Sequence, residues 1–158
     1  MTITGAQTQI DRSTWLPLLE LATKEVFELM LNVQVEKAPP AESHADFTAM
    51  VGLAGHLCGI ISLKCSSHTA GVMAAKMLGI PQEQADEERW DASAEVCNMI
   101  AGNFKSKLSG MGNHCMLSVP TVITGEDYQT HSMTDGESIE SSMEFEGNSI
   151  LVSLELHS

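Results

Sequence analysis

The sequence predicts one α/β (α+β) domain, in which an antiparallel sheet is covered by two long helices. Two segments, one near each end of the first 108 residues, show the apolar periodicity of amphipathic helices. Strand-like segments follow each of these helices and end in hairpins. The 158 residues are 43% hydrophobic, which is enough to bury a substantial core. We therefore interpret residues 1–158 as a single domain, with residues 1–12 as a loose N-terminal tail.

Capping residues and apolar periodicity predict three helices. Their approximate bounds are 13–31, 68–78 and 89–108. The first helix has Pro17 in its predicted first turn, where a missing N–H costs little. The second is capped by Ser66 or Ser67 and stopped by Gly79.

The predicted strands alternate apolar and polar residues or form short apolar runs. They comprise residues 33–37, a hairpin of 47–53 and 57–65, a strand over 114–123, and a hairpin of 138–146 and 149–156 turning at Gly147-Asn148. Pro120 cannot donate to a sheet ladder, so it indicates an edge or bulge position. The element order gives one helix-strand-hairpin unit twice, which predicts a pseudo-two-fold duplication although the two halves barely match in sequence.

Composition limits the classes of partner. The net charge of −13 argues against binding to the phosphates of nucleic acids, and it fits a partner with a basic contact surface or simple solubility. No apolar run of membrane-spanning length and no secretory leader is found, so we expect a cytoplasmic location and no membrane partner. The four cysteines are expected to be reduced and mostly buried. No metal site is predicted, because the His and Cys residues lack four-ligand spacing.

The third helix carries the candidate site. Asp91, Glu95, Asn98 and Gly102 are spaced four, three and four residues apart, which places them on one helix face. A mid-helix glycine costs about 1 kcal/mol relative to alanine, so Gly102 suggests a close approach to the helix. Spacing alone shows that one helical turn can reach into a partner's cleft, but such a face is more often simply solvated. Asp91 in particular also suits a capping or surface role. The predicted core-facing stripe comprises Trp90, Ala94, Cys97, Ala101, Phe104 and Leu108.

The pattern Asp-x-x-x-Glu-x-x-Asn-x-x-x-Gly resembles the signature of the CheC/CheX/FliY chemotaxis phosphatases. Pro120 is similar to the proline that this family places in the following strand, and the resemblance extends over about residues 13–157. Where CheC-type members repeat the Glu-Asn pair in the first helix, this chain has Glu25 and Glu28. It therefore resembles the single-site CheX type.

The resemblance implies hydrolysis of the aspartyl phosphate on a CheY-type response regulator. Asn98 would orient the attacking water, because a carboxamide offers both a donor and an acceptor. Glu95 would pair with the active-site lysine of the regulator, and Asp91 and Gly102 would shape the contact. The resemblance also implies a homodimer, and no cofactor beyond the Mg²⁺ that the regulator holds.

Two other functions stay open at this stage. One is a non-catalytic module that docks response regulators, such as a flagellar-switch component or an adaptor. The other is a structural dimer with a vestigial site, which is favoured if the partner subunit covers the helix face. Asn98 favours the enzyme, because a docking surface has no need for a carboxamide at that position.

Overall fold

The computed structural model describes residues 12–40, 45–55, 58–108, 115–125 and 138–156. Its helices are α1 (Arg12–Val26), α2 (Ser67–Leu78) and α3 (Arg89–Lys107). Its strands are β1 (Glu36–Lys37), β2 (Phe47–Gly55), β3 (Gly59–Cys65), β4 (Cys115–Leu117), β5 (Thr121–Thr124), β6 (Ser138–Phe145) and β7 (Asn148–Leu156). Apart from Arg12, which is helical, the predicted N-terminal tail lies outside the described residues.

The strands form one antiparallel sheet in the order β1-β6-β7-β3-β2-β4, with β5 also paired to β2. Strand β1 follows α1 but pairs with the hairpin β6-β7, whereas β4 and β5 follow α3 but pair with the hairpin β2-β3. Each half of the chain thus contributes its single strand to the hairpin of the other half. The arrangement has pseudo-two-fold symmetry about the central β3-β7 pair, which confirms the predicted duplication.

The core lies between the sheet and the helices. Side chains of β6 alternate between buried and mostly exposed positions, and those of β7 between buried and half-buried positions, as expected for a sheet covered on one face. Full burial of a large apolar side chain stabilises a fold by about 1.5–3 kcal/mol. The largest fully buried side chains are Phe27, Phe104, Phe145, Leu19, Ile61, Leu63, Met73, Ile100, Ile139, Met143 and Leu154.

The first helix differs from its prediction at both ends. Its α-helical part begins at Arg12, so Pro17 lies in the helix interior rather than in the first turn. After Val26 the chain continues as a π-helical turn, Phe27–Leu31, whose residues Phe27 and Leu31 are buried. Asn32 then ends the helix in the left-handed conformation, with φ 56°.

Two predicted strands are shorter than expected. Only Glu36–Lys37 of the predicted strand 33–37 pairs with β6. The alternating pattern could not show this limit, because pairing depends on a neighbouring strand that is distant in the chain. The predicted strand 114–123 is interrupted, and its residues 118–120 face only two residues of β2, which makes a bulge. Ser118 spans this bulge by donating its N–H to the carbonyl of Gly52 (2.9 Å) and accepting the Gly52 N–H on its Oγ (2.8 Å). Pro120 thus lies at a bulge on the sheet edge, as predicted.

The C-terminal hairpin turns one residue earlier than predicted. The turn residues are Glu146 and Gly147, with φ 49° and 81°, and Asn148 already belongs to β7. A two-residue turn with positive φ at both positions matches the twist of the strands. The side chain of Asn148 holds the turn by donating to the carbonyl of Phe145 at 3.2 Å. Residues 126–137, which precede this hairpin, lie outside the described residues.

None of the helices in the described ranges combines the length and the apolar character needed to cross a membrane. None of the four cysteines, all of which are described, forms a disulfide; Cys58 is exposed, and Cys65, Cys97 and Cys115 are buried. Burial raises the pKa of the Cys65 and Cys97 thiols to about 12.

Candidate active site

Helix α3 packs against both other helices and against β2 and β3. The predicted core stripe is correct for Cys97, Ala101, Phe104 and Leu108 but wrong for Trp90, which is 49% exposed. Trp90 lies at the start of α3 and makes an edge contact with Phe47, with ring centroids 6.3 Å apart. Ala94 is half-buried. Because α3 has neighbours on two sides as well as below, its buried arc is broader and comprises Ala92, Ser93, Val96, Cys97, Ile100, Ala101 and Phe104.

The four predicted site residues lie on the solvent-facing side of α3. Asp91 and Glu95 are exposed, while Asn98 and Gly102 are half-buried. Within the part of the chain that the structure describes, no hydrogen bond or ion pair engages the side chains of Asp91, Glu95 or Asn98. Asp91 stands in the first turn, where a carboxylate also stabilises the helix through its dipole. Glu95 and Asn98 make no comparable contact within the described ranges, and Glu95 is exposed while Asn98 is half-buried.

A groove of about 930 Å³ runs beside this face, between α3 and the end of α1 with its π-helical turn. We call it the α1–α3 groove. It brings Asn98 and Gly102 together on one wall, whereas Asp91 and Glu95 lie outside its lining, towards the start of α3. The lining residues are Glu25, Val26, Glu28, Leu29, Asn32, Asn98, Met99, Gly102, Asn103 and Leu117.

The fold itself does not require glycine at position 102. A Cβ built there would meet only Cδ1 of Leu117, at 3.9 Å, which is an ordinary van der Waals distance. Gly59 shows the contrast, because its Cβ would fall 2.1 Å from the carbonyl oxygen of Glu155. The described residues therefore leave room for a side chain at position 102.

The opposite wall of the groove is tied to α3 by polar contacts that the sequence analysis missed. Glu25 pairs with Lys107, with Nζ and Oε1 2.7 Å apart. Asn103 donates its Nδ2 to Oε1 of Glu25 (2.9 Å) and to the carbonyl of Ala22 (3.2 Å). The bonds from Lys107 and then Asn103 lower the pKa of Glu25 below its ordinary value of 4.5. Glu25 occupies the position equivalent to Glu95 in the first helix, but its carboxylate is engaged within the chain.

Comparison with known proteins gives consistent matches. The family described as chemotaxis phosphatase CheX matches residues 47–144. The CheY-P phosphatase CheX of Thermotoga maritima is 33% identical over 99 residues, which are 60% of this chain and 64% of that protein. The sequence match thus spans slightly less than two thirds of the curated relative.

Solved structures of two relatives have the same fold. A chemotaxis protein CheX from Desulfovibrio desulfuricans is 28% identical, with a TM-score of 0.73 over 89% of this chain and 97% of that one. A chain of the CheX-CheY-BeF3-Mg²⁺ complex from Borrelia burgdorferi is 26% identical, with a TM-score of 0.72 over 91% and 98%. Since the family match covers more than half of its length, this chain belongs to the CheX family of chemotaxis phosphatases.

Proposed function

We propose that this protein hydrolyses the aspartyl phosphate of a CheY-type response regulator. The observation that carries the proposal is the free pair Glu95 and Asn98, one turn apart on α3 of a CheX-family chain and beside a groove open to a partner. The names of two relatives support it. The Thermotoga maritima protein is a CheY-P phosphatase, and the Borrelia burgdorferi protein forms a complex with CheY.

Asn98 orients the attacking water in this mechanism. The water oxygen forms a bond to phosphorus while the bond from phosphorus to the aspartyl oxygen breaks, which releases inorganic phosphate and restores the carboxylate. The carboxamide of Asn98 has a carbonyl oxygen that accepts a hydrogen bond from the water and an NH₂ group that can donate a hydrogen bond. It can therefore hold the water in line with the phosphorus–oxygen bond that breaks. It cannot remove a proton near neutral pH.

Glu95 anchors the complex. Its carboxylate pairs with the active-site lysine of the regulator, which places Asn98, one turn further along α3, at the phosphoryl group. Asp91 and Gly102 contribute to the contact on either side. The chain needs no cofactor of its own, because the regulator holds the Mg²⁺ that neutralises the phosphoryl oxygens. A regulator of this class is a cytoplasmic protein, so we place the phosphatase in the cytoplasm.

The decisive experiment measures phosphate release from phosphorylated CheY-type receivers of the source organism. Wild-type protein should accelerate release, and Asn98→Ala should lose about a hundredfold of the rate while it keeps its affinity for a beryllofluoride-activated receiver. Gln84→Ala, which removes an exposed carboxamide from the segment before α3, serves as the control. Binding without any acceleration by the wild type would favour the non-catalytic docking module.

We also propose that the protein forms a homodimer through the edge of the sheet at β4 and β5. Met116 and Val119 are 72% and 83% exposed there, and an uncovered edge strand readily pairs with another copy. Analytical ultracentrifugation should show a dimer for the wild type and a monomer for the Met116→Lys/Val119→Lys double variant. A monomeric wild type would contradict this proposal without affecting the phosphatase.

A further inference from the structure

We infer that the π-helical turn Phe27–Leu31 forms the second half of the docking surface for the regulator, with Leu29 as its main apolar contact. This inference rests on the proposed function, because the occupant is the same CheY-type receiver that presents its phosphoryl group to Asn98. The surface is continuous with the candidate site, since Leu29, Asn98 and Gly102 all line the α1–α3 groove. A receiver seated against Asn98 therefore also lies against the π-helical turn.

Leu29 is an exposed apolar residue that belongs to a larger apolar surface. Its side chain is 78% exposed. A single exposed leucine on a protein surface would need no explanation by itself. Leu29, however, shares the groove with three other apolar side chains: Met99 and Leu117, which are partly buried against the core, and Val26, which is buried. Together they line the groove with apolar surface next to the polar pair of α3. We therefore expect the receiver to place an apolar side chain, next to its phosphorylation site, against this surface.

The fold presents Leu29 on a well-anchored support. Phe27 and Leu31, on either side of it, are 0% and 3% exposed, and the ring of Phe27 packs 5.3 Å from that of Phe145. Asn32 closes the turn by donating its N–H to the carbonyl of Glu28 at 3.1 Å. An anchored contact residue loses little conformational freedom on binding, so more of its contact energy is available for affinity.

The charges on this wall indicate the kind of partner surface. Glu28 is exposed and, among the described residues, forms no ion pair, whereas the charge of Glu25 is compensated by Lys107. The wall thus combines one free carboxylate with an apolar side chain. It complements a receiver surface that places a lysine or arginine next to an apolar residue.

The test compares Leu29→Ser with Leu78→Ser. Leu78 is 51% exposed near the end of α2, outside the lining of the groove, so it is the matched control. Binding is measured against a CheY-type receiver of the source organism activated with beryllofluoride and Mg²⁺, and turnover is measured with the phosphorylated receiver. Leu29→Ser should raise both Kd and KM about tenfold and leave kcat within about twofold of the wild-type value. Leu78→Ser should leave Kd, KM and kcat unchanged.

The outcomes separate this inference from the proposed function. If the wild type hydrolyses the phosphorylated receiver and Leu29→Ser binds as tightly as the wild type, the docking surface is wrong and the phosphatase stands. If the wild type binds without hydrolysis and Leu29→Ser weakens binding, the docking surface is supported and the phosphatase is wrong. Failure of the wild type to bind any receiver overturns the inference as well.

Discussion

Glu25 of α1 and Lys107 of α3 form an ion pair, with 2.7 Å between Oε1 and Nζ, and this pair joins the two walls of the groove beside Asn98. Asn103 adds a hydrogen bond to the same carboxylate oxygen. The side chain of Glu25 is nearly half-exposed and that of Lys107 is one-fifth exposed, so solvent weakens the pair. Its importance therefore lies more in the geometry of the groove than in overall stability.

The first prediction concerns this ion pair and its pH dependence. The pKa of Glu25 is lowered in the folded state, so its stabilisation is present above the ordinary value of 4.5 and is lost as the pH falls through the folded-state pKa. Glu25→Gln should thus slightly lower the free energy of unfolding at pH 7, and the difference from the wild type should disappear in acid. Urea denaturation of the wild type and of Glu25→Gln, at pH 7 and at an acidic pH below the folded-state pKa of Glu25, measures this difference in the free energy of unfolding. The matched control is Glu28→Gln, which removes a carboxylate from the same wall without breaking an ion pair among the described residues.

The second prediction concerns the anchoring role of Glu95. Glu95→Ala should weaken binding to the activated receiver by about ten- to hundredfold, because an ion pair with a partner lysine is lost, and turnover should fall with it. Glu95→Lys should be worse, since it places two like charges together. Glu87→Ala, which removes another exposed carboxylate just before α3, is the control for net charge. Unchanged affinity and turnover in Glu95→Ala would show that the proposed pairing is wrong.

The third prediction separates folding from docking at Gly102. Gly102→Ala should raise the free energy of unfolding by up to about 1 kcal/mol, because alanine is the better helix former and the added Cβ has room. The same Cβ should weaken receiver binding if the partner approaches the helix closely there. Gly71→Ala in α2, whose Cβ would also make only ordinary contacts, should not change binding. Equal affinity of wild type and Gly102→Ala would contradict a close approach at this position.

The fourth prediction concerns the thiols. In the native protein a thiol reagent such as Ellman's reagent should modify Cys58 rapidly, and the buried Cys65, Cys97 and Cys115 only after unfolding. Burial raises the pKa of Cys97 from 9.0 to about 12, so its stabilisation is complete below pH 9 and is lost as the pH rises towards 12. A second rapidly reacting thiol in the native protein would contradict the burial of these side chains.

The sequence alone sufficed for the candidate face of α3, because a helix has a fixed period, so three polar residues and a glycine at this spacing must share a side. The capped helix α2 was predictable for a similar reason, since Ser66 and Gly79 determine its ends locally. The assignment of Trp90 to the core was wrong, because the spacing of apolar residues does not show where the sheet beneath a helix ends.

The tertiary structure decided everything that depends on residues distant in the chain. The two halves exchange their single strands, and the bulge at residues 118–120 forms against Gly52, because hydrogen-bonded pairing requires a specific neighbour that no local pattern identifies. The same holds for the groove, whose second wall includes Glu25 and Leu29, more than 60 positions before Asn98 and Gly102 in the chain. The ion pair between Glu25 and Lys107 ties that wall to α3. The sequence by itself determined which residues share the face of α3 that we propose for the chemistry, since their spacing on one helix is a local property. Only the packing of α1 on α3 decided what surrounds them, because that packing is a property of the whole chain.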